Sequence, residues 1–170
     1  MHDNRAAEPR LRVLVVCHGN INRSALAASV LALHPELEVR QAALKAWANP
    51  AWRPERAPLK MREAAWERHQ INLEEHRSRA IEAADLDWAE VVIYMDGGNL
   101  KRLNAIPVHP VIGRPEQLCL GEVIGAARVP DPNFMRRGSD EFDAIVDMVV
   151  EAAELTAANL IARMAETNHP

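Results

Sequence analysis

The feature that most constrains the fold of this sequence is a short buried-strand pattern that runs directly into a polar loop and then a helix. Residues 11–16 read Leu-Arg-Val-Leu-Val-Val, a run typical of a strand buried on both faces of a sheet. The loop 17–23 follows, and Ser24 begins a helical pattern that ends at Leu33, because proline at 35 disfavours helix in the residue before it. A strand, a tight loop and a helix in this order predict a parallel α/β sheet.

The rest of the chain continues this alternation. Strands are predicted at residues 37–43 and 91–95, with a fourth at either 107–111 or 118–120. Helices are predicted at 59–69, at 81–86, from Asp96-Gly97-Gly98 to Leu103, and after Ser139, where apolar residues from Phe142 to Met164 keep helical spacing. Residues 47–58 are predicted to form a proline-rich loop. The pattern predicts one α/β domain over residues 11–166, with a parallel sheet covered by helices on both faces, and a flexible leader at residues 1–10.

Composition excludes several classes of function. The formal net charge of −4 comes without any basic run, so nucleic-acid binding has no support. No apolar stretch approaches the roughly 18–20 residues of a membrane span, so no membrane association is expected. The two cysteines, Cys17 and Cys119, lie too far apart in sequence for a zinc motif or a disulfide framework. With no secretory signal pattern at the N-terminus, we expect a reducing, cytoplasmic environment.

The loop between Cys17 and Arg23 has the properties of an anion site. It follows the carboxyl end of a parallel strand, where ligands bind in such sheets, and it precedes a helix N-terminus, whose N–H groups attract negative charge. Gly19 permits a tight turn, and Asn20 is among the few residue types that tolerate a positive φ. The guanidinium of Arg23 offers a planar fork that suits phosphate oxygens. The loop is therefore predicted to hold a phosphate group.

The position of Cys17 gives this loop a chemical function. Converging loop N–H groups and a helix N-terminus favour the thiolate form of a cysteine, and Ser24 can donate its hydroxyl hydrogen to the sulfur. A thiolate next to a bound phosphate is a nucleophile aimed at phosphorus. The alternative is that Cys17 is only a small buried hydrophobe at a strand end.

These residues resemble the low-molecular-weight protein tyrosine phosphatase family over roughly residues 11 to 164. The matching segments are Val16-Cys17-His18-Gly19-Asn20-Ile21-Asn22-Arg23-Ser24, which fits a Cys-x5-Arg-Ser loop, then His76-Arg77-Ser78-Arg79, Ile93-Tyr94-Met95-Asp96 and Val129-Pro130-Asp131-Pro132. Four landmarks in the family's order make the resemblance specific.

The resemblance implies a four-stranded parallel sheet and hydrolysis of phosphomonoesters without a metal or a cofactor. Cys17 would attack phosphorus, Arg23 would hold the phosphoryl oxygens, and Asp131 would protonate the departing oxygen. The phosphate-binding loop would comprise His18, Gly19, Asn20, Ile21, Asn22 and Ser24. Asp131 could instead simply begin a turn, since Asp-Pro is a common turn pair.

Further roles also follow from the resemblance. Asn20, Ser24 and His76 would support the loop through hydrogen bonds, although His76 could be an ordinary surface histidine. Trp47 and Phe134 would line an aromatic slot that suits aryl phosphates, although Trp47 could equally cover the core. Cys119 is expected to be buried and inert.

The sequence departs from the family pattern at several positions. Asn22 stands where a second loop cysteine is frequent, Ala25 replaces a proline, and Gln41 replaces a serine of the loop-supporting network. Asn133-Phe134 replaces a tyrosine pair. None of these changes removes a group that the chemistry requires.

The sequence thus predicts a phosphatase that acts on a phosphorylated protein, chiefly on phosphotyrosine, or on a small aryl phosphate, and releases inorganic phosphate. One alternative is a thiol-dependent arsenate reductase, which uses a similar loop but passes the oxidised thiol to further cysteines. The other is a non-catalytic, phosphate-binding regulatory module of the same fold.

Overall fold

A parallel sheet of four strands organises the part of the chain described by the computed structural model, residues 9–167. The strands are β1 (Leu11–Cys17), β2 (Leu37–Ala43), β3 (Val91–Tyr94) and β4 (Glu116–Cys119), in the spatial order β2-β1-β3-β4. Every neighbouring pair is parallel. The predicted parallel sheet is confirmed, and the fourth strand overlaps the second of its two candidate positions. Residues 1–8 of the predicted leader lie outside the described residues.

The helices follow the predicted alternation with small shifts at their ends. They are α1 (Arg23–Leu31), α2 (Leu59–His69), α3 (Ala83–Trp88), α4 (Gly97–Asn104) and α5 (Asp140–Thr167), with short 3-10 helices at Leu44–Ala46 and Leu120–Ile124. The hydroxyl oxygen of Ser139 accepts a hydrogen bond from the backbone N–H of Phe142 at 3.2 Å and so caps the start of the last helix. The two 3-10 helices were not anticipated from the sequence.

Alternate residues of β1 feed two separate cores, one on each face of the sheet. Val13 and Val15 pack with apolar residues of α1, α2 and α5, whereas Leu14 and Val16 pack with residues of α3 and α4. A strand buried on both faces needs apolar side chains at every position, which explains the continuous run that the sequence shows. The arrangement confirms helices on both faces of the sheet.

The strand order places a topological switch point between β1 and β3. From β1 the chain moves outward to β2 on one side, and from β3 it moves outward to β4 on the other. Loops that leave the carboxyl ends of these two central strands diverge, and the crevice between them is where ligands bind in open α/β sheets. Cys17 ends β1 and Asp96 follows β3 closely, so both lie at this crevice. Within residues 9–167, no helix is long and apolar enough to cross a membrane.

Candidate active site

The sulfur of Cys17 lies in the cradle formed by the loop before α1. The residue is only 3% exposed. The backbone N–H of Asn20 donates to the sulfur at 3.2 Å, and the hydroxyl oxygen of Ser24 lies 3.0 Å from it. These contacts place a backbone N–H and a hydroxyl group beside the sulfur, next to the N-terminus of α1.

Asn20 connects this loop to three other parts of the chain. Its φ of 54° lies in the left-handed region that asparagine tolerates. Its side-chain amide donates to the Ser24 hydroxyl and to Oε1 of Gln41, both at 2.9 Å, and its Oδ1 accepts from the backbone N–H of Arg79 at 3.1 Å. The fully buried side chain thus fixes the loop against β2 and against the segment after α2.

The same loop is supported from outside by His76. Nε2 of His76 lies 2.6 Å from the carbonyl oxygen of Asn20. A carbonyl oxygen can only accept, so Nε2 carries the hydrogen of the neutral ring. Burial lowers the pKa of His76, with a further contribution from the nearby Arg77 and an opposing one from the bond to Asn20. The neutral ring is therefore the form that holds the loop at neutral pH.

Arg23 is buried and oriented by groups from two different loops. One terminal nitrogen donates to Oδ2 of Asp96 at 2.6 Å and to the carbonyl oxygen of Val129 at 3.0 Å. The other lies 3.5 Å from Oδ2 of Asp131. Such a guanidinium is preorganised to meet the oxygens of an anion beside Cys17.

The Asp96 carboxylate that orients Arg23 is itself fixed at the N-terminus of α4. Its Oδ1 accepts from the backbone N–H of Asn99 at 2.8 Å, as an N-cap. Burial alone would raise the pKa of Asp96, but the hydrogen bonds from Arg23 and Asn99 outweigh burial and lower the pKa. Asp96 is therefore ionised at neutral pH, and its charge holds Arg23 in place.

Asp131 lies at the mouth of the site, in the loop before α5. Its side chain is 45% exposed. Oδ1 accepts from the backbone N–H of Asn133 at 3.0 Å, a local turn that limits the orientation of the carboxyl group. The other oxygen faces Arg23. A carboxyl group in this position can exchange protons with solvent and still reach a ligand next to Cys17.

A cavity of about 60 Å³ brings the three predicted catalytic residues together. Its lining consists of Cys17, His18, Gly19, Ile21, Asn22, Arg23, Lys45, Asp131 and Asn133. Another cavity, of about 540 Å³ between β4 and α5, contains none of them. The smaller cavity is the better candidate, because its cysteine ends a central strand at the switch point and precedes a helix N-terminus. The larger cavity also contains a cysteine, Cys119, but burial raises the pKa of that thiol.

Positive charge surrounds this cavity at its mouth. The pKa of His18 is lowered, first by partial burial and then by the charges of Arg102 and Lys45, with Asp131 opposing. The ring is consequently neutral at neutral pH. A mouth of this kind favours the approach of an anion.

Two residues predicted to form an aromatic slot do not line the cavity. Trp47 follows the 3-10 helix Leu44–Ala46, which directs its half-buried ring onto the core of the face that carries α3 and α4. Phe134 follows the turn at Asn133 and is 95% exposed. Neither ring belongs to the cavity lining, so the geometry provides no preformed aromatic wall.

The structure also brings residues into the site that the sequence did not single out for it. Lys45 lines the cavity, Asp96 orients Arg23, and Asn133 contacts both Asp131 and the Asn22 side chain, the latter at 3.5 Å. Only Asp96 had a usable signal, because it follows a central strand at the switch point. Oδ1 of Asn22 has no partner among the described residues.

Comparisons with known proteins identify chains that are similar to this one. The sequence model described as "Low molecular weight phosphotyrosine protein phosphatase" matches residues 12–167. The chain is 27% identical over 150 residues to the low molecular weight protein-tyrosine-phosphatase Wzb of Salmonella typhi, covering 88% of this chain and 93% of that protein.

Solved structures with the same fold include two at 26% identity. Vibrio vulnificus Wzb in complex with benzylphosphonate superposes with a TM-score of 0.71 and covers 88% of this chain and 99% of that one. The Erwinia amylovora tyrosine phosphatase amsI superposes with a TM-score of 0.70, covering 85% and 89%. The benzylphosphonate ligand is an aryl compound with a phosphate-like group.

Proposed function

The chain belongs to the family of low molecular weight phosphotyrosine protein phosphatases, and on that premise we propose that it hydrolyses aryl phosphomonoesters, chiefly phosphotyrosine in proteins, through a phosphocysteine intermediate. The single observation that carries the proposal is one small cavity shared by Cys17, Arg23 and Asp131. We also propose a cytoplasmic location, since Cys17 and Cys119 are both free thiols.

The first step is attack by sulfur on phosphorus. The thiolate of Cys17 forms the sulfur–phosphorus bond while the bond from phosphorus to the aryl oxygen breaks in line. Two contacts to the sulfur, from the N–H of Asn20 and from the Ser24 hydroxyl, support the charged form that attacks. The electron pair of the broken bond leaves on the phenolate oxygen.

Arg23 stabilises the charge that develops on the phosphoryl oxygens. Its guanidinium is held by Asp96 and by the Val129 carbonyl, so it does not have to reorganise during the reaction. The remaining N–H groups of the fork, together with the loop N–H groups that surround the cavity, face the anion. The buried position raises the strength of these interactions above that in water.

Asp131 transfers the protons. Its protonated carboxyl donates to the departing phenolate, and the resulting carboxylate then takes a proton from the water that attacks the phosphocysteine. That second attack breaks the sulfur–phosphorus bond, releases inorganic phosphate and regenerates the thiolate. Partial exposure of Asp131 at the cavity mouth supports both roles.

Thiol-dependent arsenate reduction has little support from the positions of the cysteines. That chemistry requires a second thiol that can reach the oxidised first one. Cys119 lines the cavity between β4 and α5, and its sulfur faces the backbone carbonyls of Met95 and Ala127. Burial raises the pKa of the Cys119 thiol, which disfavours the reactive thiolate.

Turnover of phenyl phosphate and of a phosphotyrosine peptide in the presence of a metal chelator tests the proposal. The wild-type protein should hydrolyse both, and rapid acid quenching should trap phosphate on the protein. Cys17→Ser should retain the fold and lose both signals. Retained turnover in Cys17→Ser would contradict the nucleophile, and a folded wild-type protein that binds phosphate without turnover would favour the non-catalytic alternative.

A further inference from the structure

Lys60 of α2 makes an unusual set of contacts with the loop that carries Asp131. Its ammonium group donates to the carbonyl oxygens of Pro132 at 3.0 Å, of Met135 at 2.8 Å, and of Asn133 between them. An ammonium has three N–H donors. Here all three are used on one short stretch of backbone, directly after the proposed acid.

The ammonium group of Lys60 also lies close to the core. The residue is half-buried, and its ammonium lies 5.4 Å from the ring centroid of Phe142, a fully buried core residue at the start of α5. A cation over an aromatic face is attracted by the ring quadrupole. The donor therefore starts from the rigid junction of α2 and α5, which makes it a firm anchor for a segment with no helix or strand of its own.

The upstream side of the same loop is fixed by different groups. The backbone N–H of Val129 donates to the carbonyl oxygen of Met95 at 2.8 Å, and the Val129 carbonyl accepts from Arg23 at 3.0 Å. Asp131 therefore lies between an upstream attachment to β3 and Arg23 and a downstream attachment to Lys60. Its carboxyl is further oriented by the N–H of Asn133, whose own carbonyl binds Lys60.

We propose that Lys60 is a positioning residue for Asp131, which rests on the proposed acid role of Asp131. By gathering three carbonyls around one ammonium, Lys60 keeps the loop closed over the cavity and the carboxyl within reach of the leaving oxygen. Lys60 itself does not line the cavity. Without it, the downstream half of the loop is free to move away and the leaving oxygen is protonated less often. The attack step then slows most for substrates whose leaving oxygen needs that proton.

The variant Lys60→Met tests this, with Arg68→Met as the matched control. Both residues lie on α2, but Arg68 binds Asp147 and Asp143 of α5 and makes no described contact with the loop that carries Asp131 (the acid loop). The readout is the ratio of kcat/KM for p-nitrophenyl phosphate to that for phenyl phosphate. The p-nitrophenol released from the first substrate is acidic and can leave without a proton from Asp131. The phenol released from the second substrate is a weaker acid and needs that proton to leave.

We expect Lys60→Met to lower kcat/KM for phenyl phosphate about 10-fold, as expected for a misplaced catalytic group, and to change the value for p-nitrophenyl phosphate far less. Arg68→Met should leave the ratio at its wild-type value. In an Asp131→Asn background, Lys60→Met should produce no further change in the ratio. If Lys60→Met does not fold, Lys60→Gln, which keeps two N–H donors but loses the charge, is measured in its place.

The outcomes separate this inference from the proposed function. If Asp131→Asn widens the ratio and Lys60→Met leaves it at the wild-type value, the positioning role is overturned and the acid role stands. An equal loss on both substrates in Lys60→Met would also overturn it, because a general structural defect has that signature. If Asp131→Asn itself does not raise the ratio, the acid role of Asp131 is overturned, and the positioning role of Lys60 is overturned as well.

Discussion

The side-chain amide of Asn20 donates a hydrogen bond to the hydroxyl oxygen of Ser24 at 2.9 Å. Because that oxygen already accepts from Asn20, its own hydrogen is available for the sulfur of Cys17, 3.0 Å away. Asn20 sets the direction of this series of hydrogen bonds, and residues from other parts of the protein hold Asn20 in place. The orientation of a hydroxyl next to the nucleophile is thus decided by residues remote from it in sequence.

Ser24→Ala should slow turnover about 10- to 100-fold, since a hydrogen bond to a charged group contributes about 1.5–3 kcal/mol. The loss should be largest in the attack step, measured as kcat/KM for p-nitrophenyl phosphate. The matched control is Ser29→Ala in the same helix, where the hydroxyl only donates to the Ala25 carbonyl. Equal activities of the two variants would show that the contact with sulfur has no role in the reaction.

Arg23→Lys should reduce kcat/KM about 10²- to 10³-fold although the charge is kept, the cost typical of a lost transition-state donor. The planar guanidinium of Arg23 binds Asp96 and still has N–H groups left for the anion, whereas a lysine ammonium lacks this fork. Kinetics together with thermal unfolding check this. A variant that retains more than about a third of the wild-type kcat/KM would contradict the proposed clamp.

His76 should make the folded state less stable in mild acid. The pKa of His76 in the folded state is below its ordinary value in the unfolded chain. As the pH falls below the ordinary value, the unfolded chain therefore binds a proton that the folded chain does not bind. The free energy of unfolding decreases as a result. His18 shifts in the same direction and contributes in the same window. His76→Gln, whose amide can still donate to Asn20, should flatten the dependence of the unfolding free energy on pH between about pH 7 and about pH 5. If the unfolding free energy of His76→Gln depends on pH in the same way as that of the wild type, protonation of His76 does not contribute to the loss of stability in acid.

Oxidation of Cys17 should be irreversible. Asn22 offers an amide where a neighbouring thiol would be needed, and Cys119 belongs to a different cavity. Without a thiol to trap it, a sulfenic acid proceeds to sulfinic acid, which ordinary reductants do not reverse. Peroxide should therefore abolish activity permanently, bound phosphate should protect, and Asn22→Cys should allow recovery with dithiothreitol. Recovery of the wild type, or a disulfide between Cys17 and Cys119 by mass spectrometry, would refute this.

Truncation of the two aromatic residues near the site should separate packing from substrate contact. Trp47→Ala should lower the free energy of unfolding by about 1–3 kcal/mol, because the half-buried ring packs against the core. Phe134→Ala should leave stability within about 0.5 kcal/mol, since its side chain contacts solvent. Chemical denaturation measures both, and KM for phenyl phosphate reports whether either ring also touches the substrate. A stable Trp47→Ala protein with a raised KM would reverse our interpretation of that residue.

Local patterns determined which parts of the fold could be predicted. The strand at 11–16, the loop from Cys17 and the helix after it are encoded by neighbouring residues, so their positions follow from sequence alone. The choice between two candidates for the fourth strand could not be made that way. Prolines 107 and 110 lack the N–H donors of a ladder, but only the pairing of Glu116–Cys119 with β3 decides the matter.

The parts of the site that escaped prediction depend on contacts between distant segments. Gln41 was noted only as a departure from a family pattern, yet its side chain accepts the Asn20 amide, because its position on β2 brings it beside the loop. Lys60 gives no signal in sequence, since a lysine on the face of a helix is ordinarily solvated. Its contacts with the acid loop exist only once α2 and α5 have packed together.

The bond from Arg23 to the Val129 carbonyl spans 106 residues of sequence. The proposed phosphate-binding loop is therefore built locally from one strand and one helix, whereas the proposed acid, Asp131, is brought to it from a distant part of the chain. On a growing chain the cysteine emerges long before the aspartate that completes its chemistry. Under the proposed mechanism, the nascent chain carries the nucleophile without the acid, so that turnover has to wait until residue 131 has been synthesised.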